Sequence, residues 1–170
     1  MVNNKKQLLE IIKESLTELY EKDKDLFEKN SGKGICERAL VFRFAYYLQN
    51  NIISKNRSFV VDCDYNSNCL NSGKPIPDGD KSIKRFIDII VHIRGNNENN
   101  WCAIECKKWN SRKTEKDENN LKELTKQNEN YKYKYGLFIV FKKDSKADLC
   151  IYENSEAELY IFKNRDIFKL

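Results

Sequence analysis

The stretch "IKRFIDIIVHIRGNNENNWCAIECKKW", Ile83 to Trp109, holds two apolar runs around "GNNENN". That spacing predicts two antiparallel strands joined by a polar turn. Each run carries a charge where a core residue belongs. Asp88 is set among Phe86, Ile87, Ile89, Ile90 and Val91, and Glu105 follows Trp101, Cys102, Ala103 and Ile104. A buried, unpaired carboxylate costs several kcal/mol, so each of these acids needs a partner.

Side chains alternate faces along a strand, so Glu105 and Lys107 point the same way, roughly 7 Å apart. Folding the hairpin about Asn96 and Asn97 sets Asp88 opposite the segment from Glu105 to Lys107. Two carboxylates and an ammonium then converge on neighbouring strands. Like charges that close destabilise each other unless a cation lies between them, and carboxylate oxygens suit a divalent ion. Lys107 is then positioned to hold or activate a water, or to stabilise a pentacovalent phosphate.

The flanking sequence supplies the frame. Residues 4–20 carry Leu8, Ile12, Leu16 and Leu19 at helical spacing. "SGKG", Ser31 to Gly34, breaks the chain before a second helix over about 35–50. "FVVDCDY", Phe59 to Tyr65, reads as a short strand, and Asn66 to Asp80, which holds both prolines, reads as a loop. Beyond the hairpin, a polar linker from Asn110 leads to a helix over about 118–132. Tyr135 to Phe141 is a buried strand, and Leu149 to Asn164 a final hairpin. The order α-α-β-β-β-α-β with a terminal hairpin predicts one α/β domain with a mixed central sheet. Its core spans about 31–141, with 1–30 a helical extension and 142–170 the hairpin.

Composition fits that frame. The chain has 170 residues, 40% hydrophobic and 34% charged, which suits one soluble domain. No apolar run approaches the ~20 residues that span a membrane. Glu10 and Glu14 interrupt any signal-like segment, so a cytoplasmic location is expected. The six cysteines form no CxxC pair and His92 is the single histidine, which excludes Cys/His finger patterns and reads as reduced, buried thiols. A net charge of +5 is compatible with a polyanionic partner.

Asp88 followed by Glu105-Cys106-Lys107 resembles the signature of the PD-(D/E)xK nuclease superfamily. The resemblance implies a restriction-endonuclease-like αβββαβ core and a Mg²⁺-dependent (or Mn²⁺-dependent) nuclease acting on DNA. It makes Asp88, Glu105 and the backbone carbonyl of Cys106 the metal ligands and Lys107 catalytic. The chain departs from the pattern at Ile87, where the family has proline. Glu37 heads the stripe Glu37, Val41, Phe44, Leu48 of the second helix. Many members of the superfamily carry a glutamate on the corresponding helix, which implies a further metal or metal-water ligand. Gln127 and Tyr131 follow Leu124 at helical spacing and resemble the QxxxY motif of the recombination-nuclease and phage-exonuclease branch. That likeness implies a supporting role in substrate contact.

Other residues read more plainly. Asp62 and Asp64 share the face of a strand end that solvent accounts for, and His92 reads as a satisfied structural histidine. Lys108, Arg112, Lys113, Lys132 and Lys134 flank the site as phosphate contacts or as ordinary surface cations. The apolar tail is core or a dimer edge, and cutting two strands would make a homodimer convenient. Two competing readings remain beside the nuclease. One is a catalytically silent domain of the same fold that binds nucleic acid or a protein partner. The other is a structural protein built on a thiolate-bound metal.

Overall fold

The computed structural model describes residues 4–28, 36–65, 75–78, 81–84, 87–95, 98–111, 115–127 and 131–170. Helix α1, Lys5–Lys22, opens on Asn4, whose side chain accepts the Gln7 N–H at 2.9 Å. This cap satisfies one of the donors that a helix start leaves orphaned. Its apolar spacing buries Leu8, Ile11, Ile12, Leu16 and Leu19, and a short 3₁₀ turn, Lys24–Leu26, follows. Helix α2, Glu37–Lys55, buries Leu40, Val41, Phe44, Leu48 and Ile52. Asp23, at the end of α1, accepts from Arg43 Nε at 2.9 Å and from Tyr47 Oη at 2.6 Å, which ties the two helices together.

The strands are β1 Val60–Tyr65, β2 Pro75–Asp78, β3 Lys81–Lys84, β4 Ile87–His92 and β5 Asn100–Lys108. Helix α3, Glu115–Thr125, precedes β6 Tyr135–Lys142, β7 Lys146–Glu153, β8 Glu156–Lys163 and β9 Asp166–Lys169. A seven-stranded mixed sheet runs β1-β4-β5-β6-β7-β8-β9. Among the described residues only the β5–β6 pair is parallel, and α3 is the crossover that a parallel connection requires.

Helices cover both faces. Ile89, Val91, Ile104, Leu137 and Ile139 pack beneath α1 and α2, and Ile90, Ala103 and Phe138 pack against Leu121 and Leu124 of α3. Strand β5 is therefore buried on both sides from Trp101 to Cys106, which is why its sequence is nearly continuously apolar. The approach of α3 to β6 depends on Gly136, where a Cβ would stand 3.2 Å from Leu121 Cβ and 3.2 Å from Thr125 Cγ2.

The architecture is mixed α/β, as the order of elements predicts, with differences in detail. The stretch read as a loop up to Asp80 contains β2, which pairs with β3 in a separate two-stranded hairpin. The long apolar run from Ile83 is thus divided between β3 and β4. The terminal hairpin gains a third strand, β9. Helix α3 begins before residue 118 and ends at Thr125, short of residue 132. The predicted break at Ser31 to Gly34, and Arg112 and Lys113, lie outside the described residues. Among the described residues, no helix is long and apolar enough to cross a membrane.

Candidate functional site

The β4–β5 ladder pairs Val91 with Cys102, Ile90 with Ala103 and Ile89 with Ile104, and stops there. The next pair would be Asp88 with Glu105. Beyond that point β4 stays with β1, where Tyr65 pairs with Ile87, and β5 stays with β6 as far as Lys108 opposite Phe141. Asp88 fills the resulting gap. Its Oδ2 accepts the Cys106 N–H at 2.8 Å, satisfying a donor that the ladder has released. A strand residue points its N–H and C=O to the same edge, so the Cys106 carbonyl also faces the β4 side.

Asp88 and Glu105 are neighbours close enough for each carboxyl to shift the other's titration. Glu105 is 5% exposed. Burial first, then the charges of Asp88 and Asp117, push its carboxyl up to about 9. Burial also raises Asp88, while the Cys106 N–H and the Lys107 charge pull the other way. At neutral pH Glu105 therefore keeps its proton, beside an Asp88 carboxyl that burial also raises.

Lys107 shares the Glu105 face at the carboxyl end of β5, where the first turns of α2 and α3 meet the strand. Its Nζ lies 4.0 Å from Glu37 Oε1 and 3.9 Å from Asp117 Oδ2. Burial alone would lower its pKa, but Asp117, Glu37, Asp88 and Glu105 together outweigh that and raise it. The ammonium is held charged. Glu37 has a second task, because its Oε2 accepts from the Lys108 N–H at 3.0 Å and from Ser111 Oγ at 2.8 Å. It thereby fastens the start of α2 to the end of β5. Asp117 and Glu37 both occupy first turns, where the helix dipole favours negative charge.

Reading Asn110 onward as a linker missed Asp117. The signal was present, since Thr114 and Asp117 have the S/T-x-x-D/E spacing that opens a helix.

A cleft of about 340 Å³ opens beside the pair, lined by Glu37, Arg38, Val41, Phe42, Cys63, Asp64 and Asp88. Asp64 is therefore a neighbour of the site as well as an exposed strand end. Cys36 and Cys63 are exposed, against the expectation of buried thiols, while Cys102, Cys106 and Cys150 are buried. The Cys63 thiol is pushed up to about 11, by partial desolvation and then by Asp64, Asp62 and Asp88. Burial also raises the Cys106 thiol. Neither sulfur offers a thiolate, so oxygens dominate the donor set. Among the described residues, no three His, Cys, Asp or Glu side chains are grouped so as to hold a metal ion by themselves.

The helical pairing expected of Gln127 and Tyr131 is corrected here. Helix α3 ends at Thr125, so the two share no helical stripe. Gln127 Nε2 instead donates to the carbonyls of Thr125, at 3.0 Å, and Tyr133, at 3.2 Å. Tyr131 accepts at its carbonyl from Asn100 Nδ2 at 2.6 Å, and its ring packs against the α3 side of the sheet. Asn100 stands five residues before Glu105, about 17 Å along the strand. Gln127, Lys132 and Lys134 line a different cavity, of about 370 Å³, with Asn100 and Trp101.

His92 has the partner a structural histidine needs, with Nε2 2.9 Å from Asp62 Oδ2, and Arg94 pairs with the same carboxylate. Comparison of the chain with models of known protein families, with curated proteins and with solved structures finds no match.

Proposed function

We propose that this chain is a divalent-cation-dependent phosphodiester hydrolase acting on DNA, with Asp88, Glu105 and Lys107 at its centre. In this reading α2-β1-β4-β5-α3-β6 is a restriction-endonuclease-like core, interrupted by the β2–β3 hairpin. The observation that carries it is the buried Asp88–Glu105 pair beside a charged lysine at the carboxyl end of a parallel strand pair, where ligands commonly bind in open α/β sheets.

The donor set fits Mg²⁺ or Mn²⁺. Mg²⁺ commonly takes one or two carboxylates and completes its shell with waters and substrate phosphates, so two acids and the Cys106 carbonyl suffice. Asp88 and Glu105 would hold the ion, and Glu37, already engaged by Lys108 and Ser111, would act through bound water at most. A bound cation would supply Lewis-acid activation of the phosphodiester and of the attacking water.

The chain's own part follows from the geometry. Glu105 would give up its proton to hold a cation, and Asp88 is kept at the strand edge by the Cys106 N–H. Lys107 stays protonated among its carboxylates and stabilises the negative charge that grows on phosphorus-bound oxygens. Glu37 and Asp117 orient that ammonium from two sides.

The competing reading is a silent domain of the same fold that binds nucleic acid or a protein partner. The proton already resident on Glu105 favours it, because that proton balances the pair with no metal. The deciding experiment compares wild type, Asp88→Ala and Lys107→Ala on plasmid and linear DNA with Mg²⁺ or Mn²⁺. Cutting that needs the ion and disappears in both variants supports the hydrolase. Absence of both cutting and Asp88-dependent Mn²⁺ binding, by calorimetry on folded protein, overturns it in favour of the silent domain.

A further inference from the structure

Helix α2 turns an apolar face to solvent as well as to the core. Phe42 is 63% exposed, Tyr46 49% and Ile53 44%. Phe42 and Tyr46 are one helical step of i to i+4 apart, which places them on one side and about 6 Å apart along the axis. The start of this stripe is part of the cleft, because Phe42 lines it together with Asp88, Glu37 and Arg38. Arg38 is exposed and has no ion-pair partner among the described residues. The Arg43 guanidinium lies 5.3 Å from the Tyr46 ring centre but is paired with Asp23, so Arg38 is the cation of the stripe.

Flat rings and a guanidinium group leading away from a phosphate-cleaving cleft suit unstacked bases and their phosphates. A paired duplex keeps its base faces covered, so it gains nothing from Phe42 or Tyr46. An unpaired strand gains a stacking surface at each ring and a phosphate contact at Arg38. The net charge of +5 favours the same polyanion. We infer that the exposed Arg38–Phe42–Tyr46 shelf of α2 binds unpaired DNA and delivers it to the cleft. The substrate class is therefore a single-stranded segment or a frayed end. This inference rests on the hydrolase reading for what happens at the cleft, but strand binding is measurable without it.

The test is fluorescence anisotropy with a labelled single-stranded oligonucleotide, its duplex and the matching RNA strand, using full-length protein in EDTA so that nothing is cut. Single-stranded DNA should bind more tightly than its duplex and at least as tightly as the RNA strand, which offers the same rings and phosphates. Phe42→Ala should weaken it roughly 5- to 150-fold, the range of one lost base–aromatic stack, while circular dichroism stays unchanged. Phe42→Trp should keep the affinity, and its indole emission should be quenched as the strand is added. Arg38→Ala should lower the slope of log affinity against log salt by about 0.7. Equal binding of duplex and single strand, tighter binding of RNA, or an unchanged affinity in Phe42→Ala overturns the inference. Because no hydrolysis occurs in EDTA, those outcomes leave the cleavage test untouched, and a protein that cuts nothing can still pass this one.

Discussion

Replacing Glu105 by glutamine should stabilise the protein, and the gain should grow with pH. In the unfolded chain Glu105 titrates near 4.5, whereas in the folded protein burial and the Asp88 charge raise it to about 9. Between those values the folded state holds a proton that the unfolded state has released. Stability therefore falls as pH rises, by up to ~1.4 kcal/mol per unit. At pH 5 the effect is just under ~1 kcal/mol, and at pH 8 it approaches ~5 kcal/mol. Glutamine carries no titrating proton yet retains an amide N–H that can be donated to Asp88. Allowing for imperfect replacement of the carboxyl's hydrogen bond, Glu105→Gln should exceed wild type by about 2–4 kcal/mol at pH 8. For a chain of this length that is about 5–15 °C in Tm. Urea and thermal melts of both proteins in EDTA at pH 5, 6, 7 and 8 measure it. A gap at pH 8 no larger than at pH 5 would show that Glu105 is not the strained acid described here.

The same proton should govern the cation. Mn²⁺ binding should release about one proton and tighten by about tenfold per pH unit between pH 6 and 8, read by calorimetry in buffers of different ionisation enthalpy. On the proposed hydrolase reading, in which the lysine acts on developing phosphate charge, Lys107→Ala should lower cleavage by at least ~100-fold while leaving Mn²⁺ affinity no weaker than wild type. Asp117→Asn removes a charge that raises Glu105, so the pH midpoint of Mn²⁺ binding should move to lower pH, with its slope unchanged. Gln127→Ala should leave the cleavage rate within about twofold of wild type, because its amide serves the turn after α3 and a separate cavity.

How much of this was legible in the sequence depends on the range over which each feature is determined. Strand β5 could be read because a strand buried on both faces has to be apolar, and an acid and a lysine two residues apart stand out against that background. His92 was readable for the same reason, as a polar group that required a partner. The QxxxY spacing misled because periodicity counts residues without seeing where a helix stops. Gly136 demands close contact with Leu121 and Thr125, and α3 ends at that contact. The β2–β3 hairpin was masked by its two prolines, which are tolerated in an edge pair standing outside the main sheet.

The divergence of β4 and β5 was the least legible feature, and the proposed chemistry depends on it most. Past Ile89 and Ile104 the two strands follow different outer partners, β1 and β6. Had β4 and β5 stayed paired through Asp88 and Glu105, the Cys106 N–H would have found a backbone acceptor. The Asp88 carboxylate would then have lost the donor that positions it. Strand divergence thus does two things at once: it exposes the Cys106 edge and turns Asp88 into its backbone substitute. A variant that restored the pairing would be expected to gain sheet and lose the site, because the same peptide edge cannot serve the ladder and a cation together.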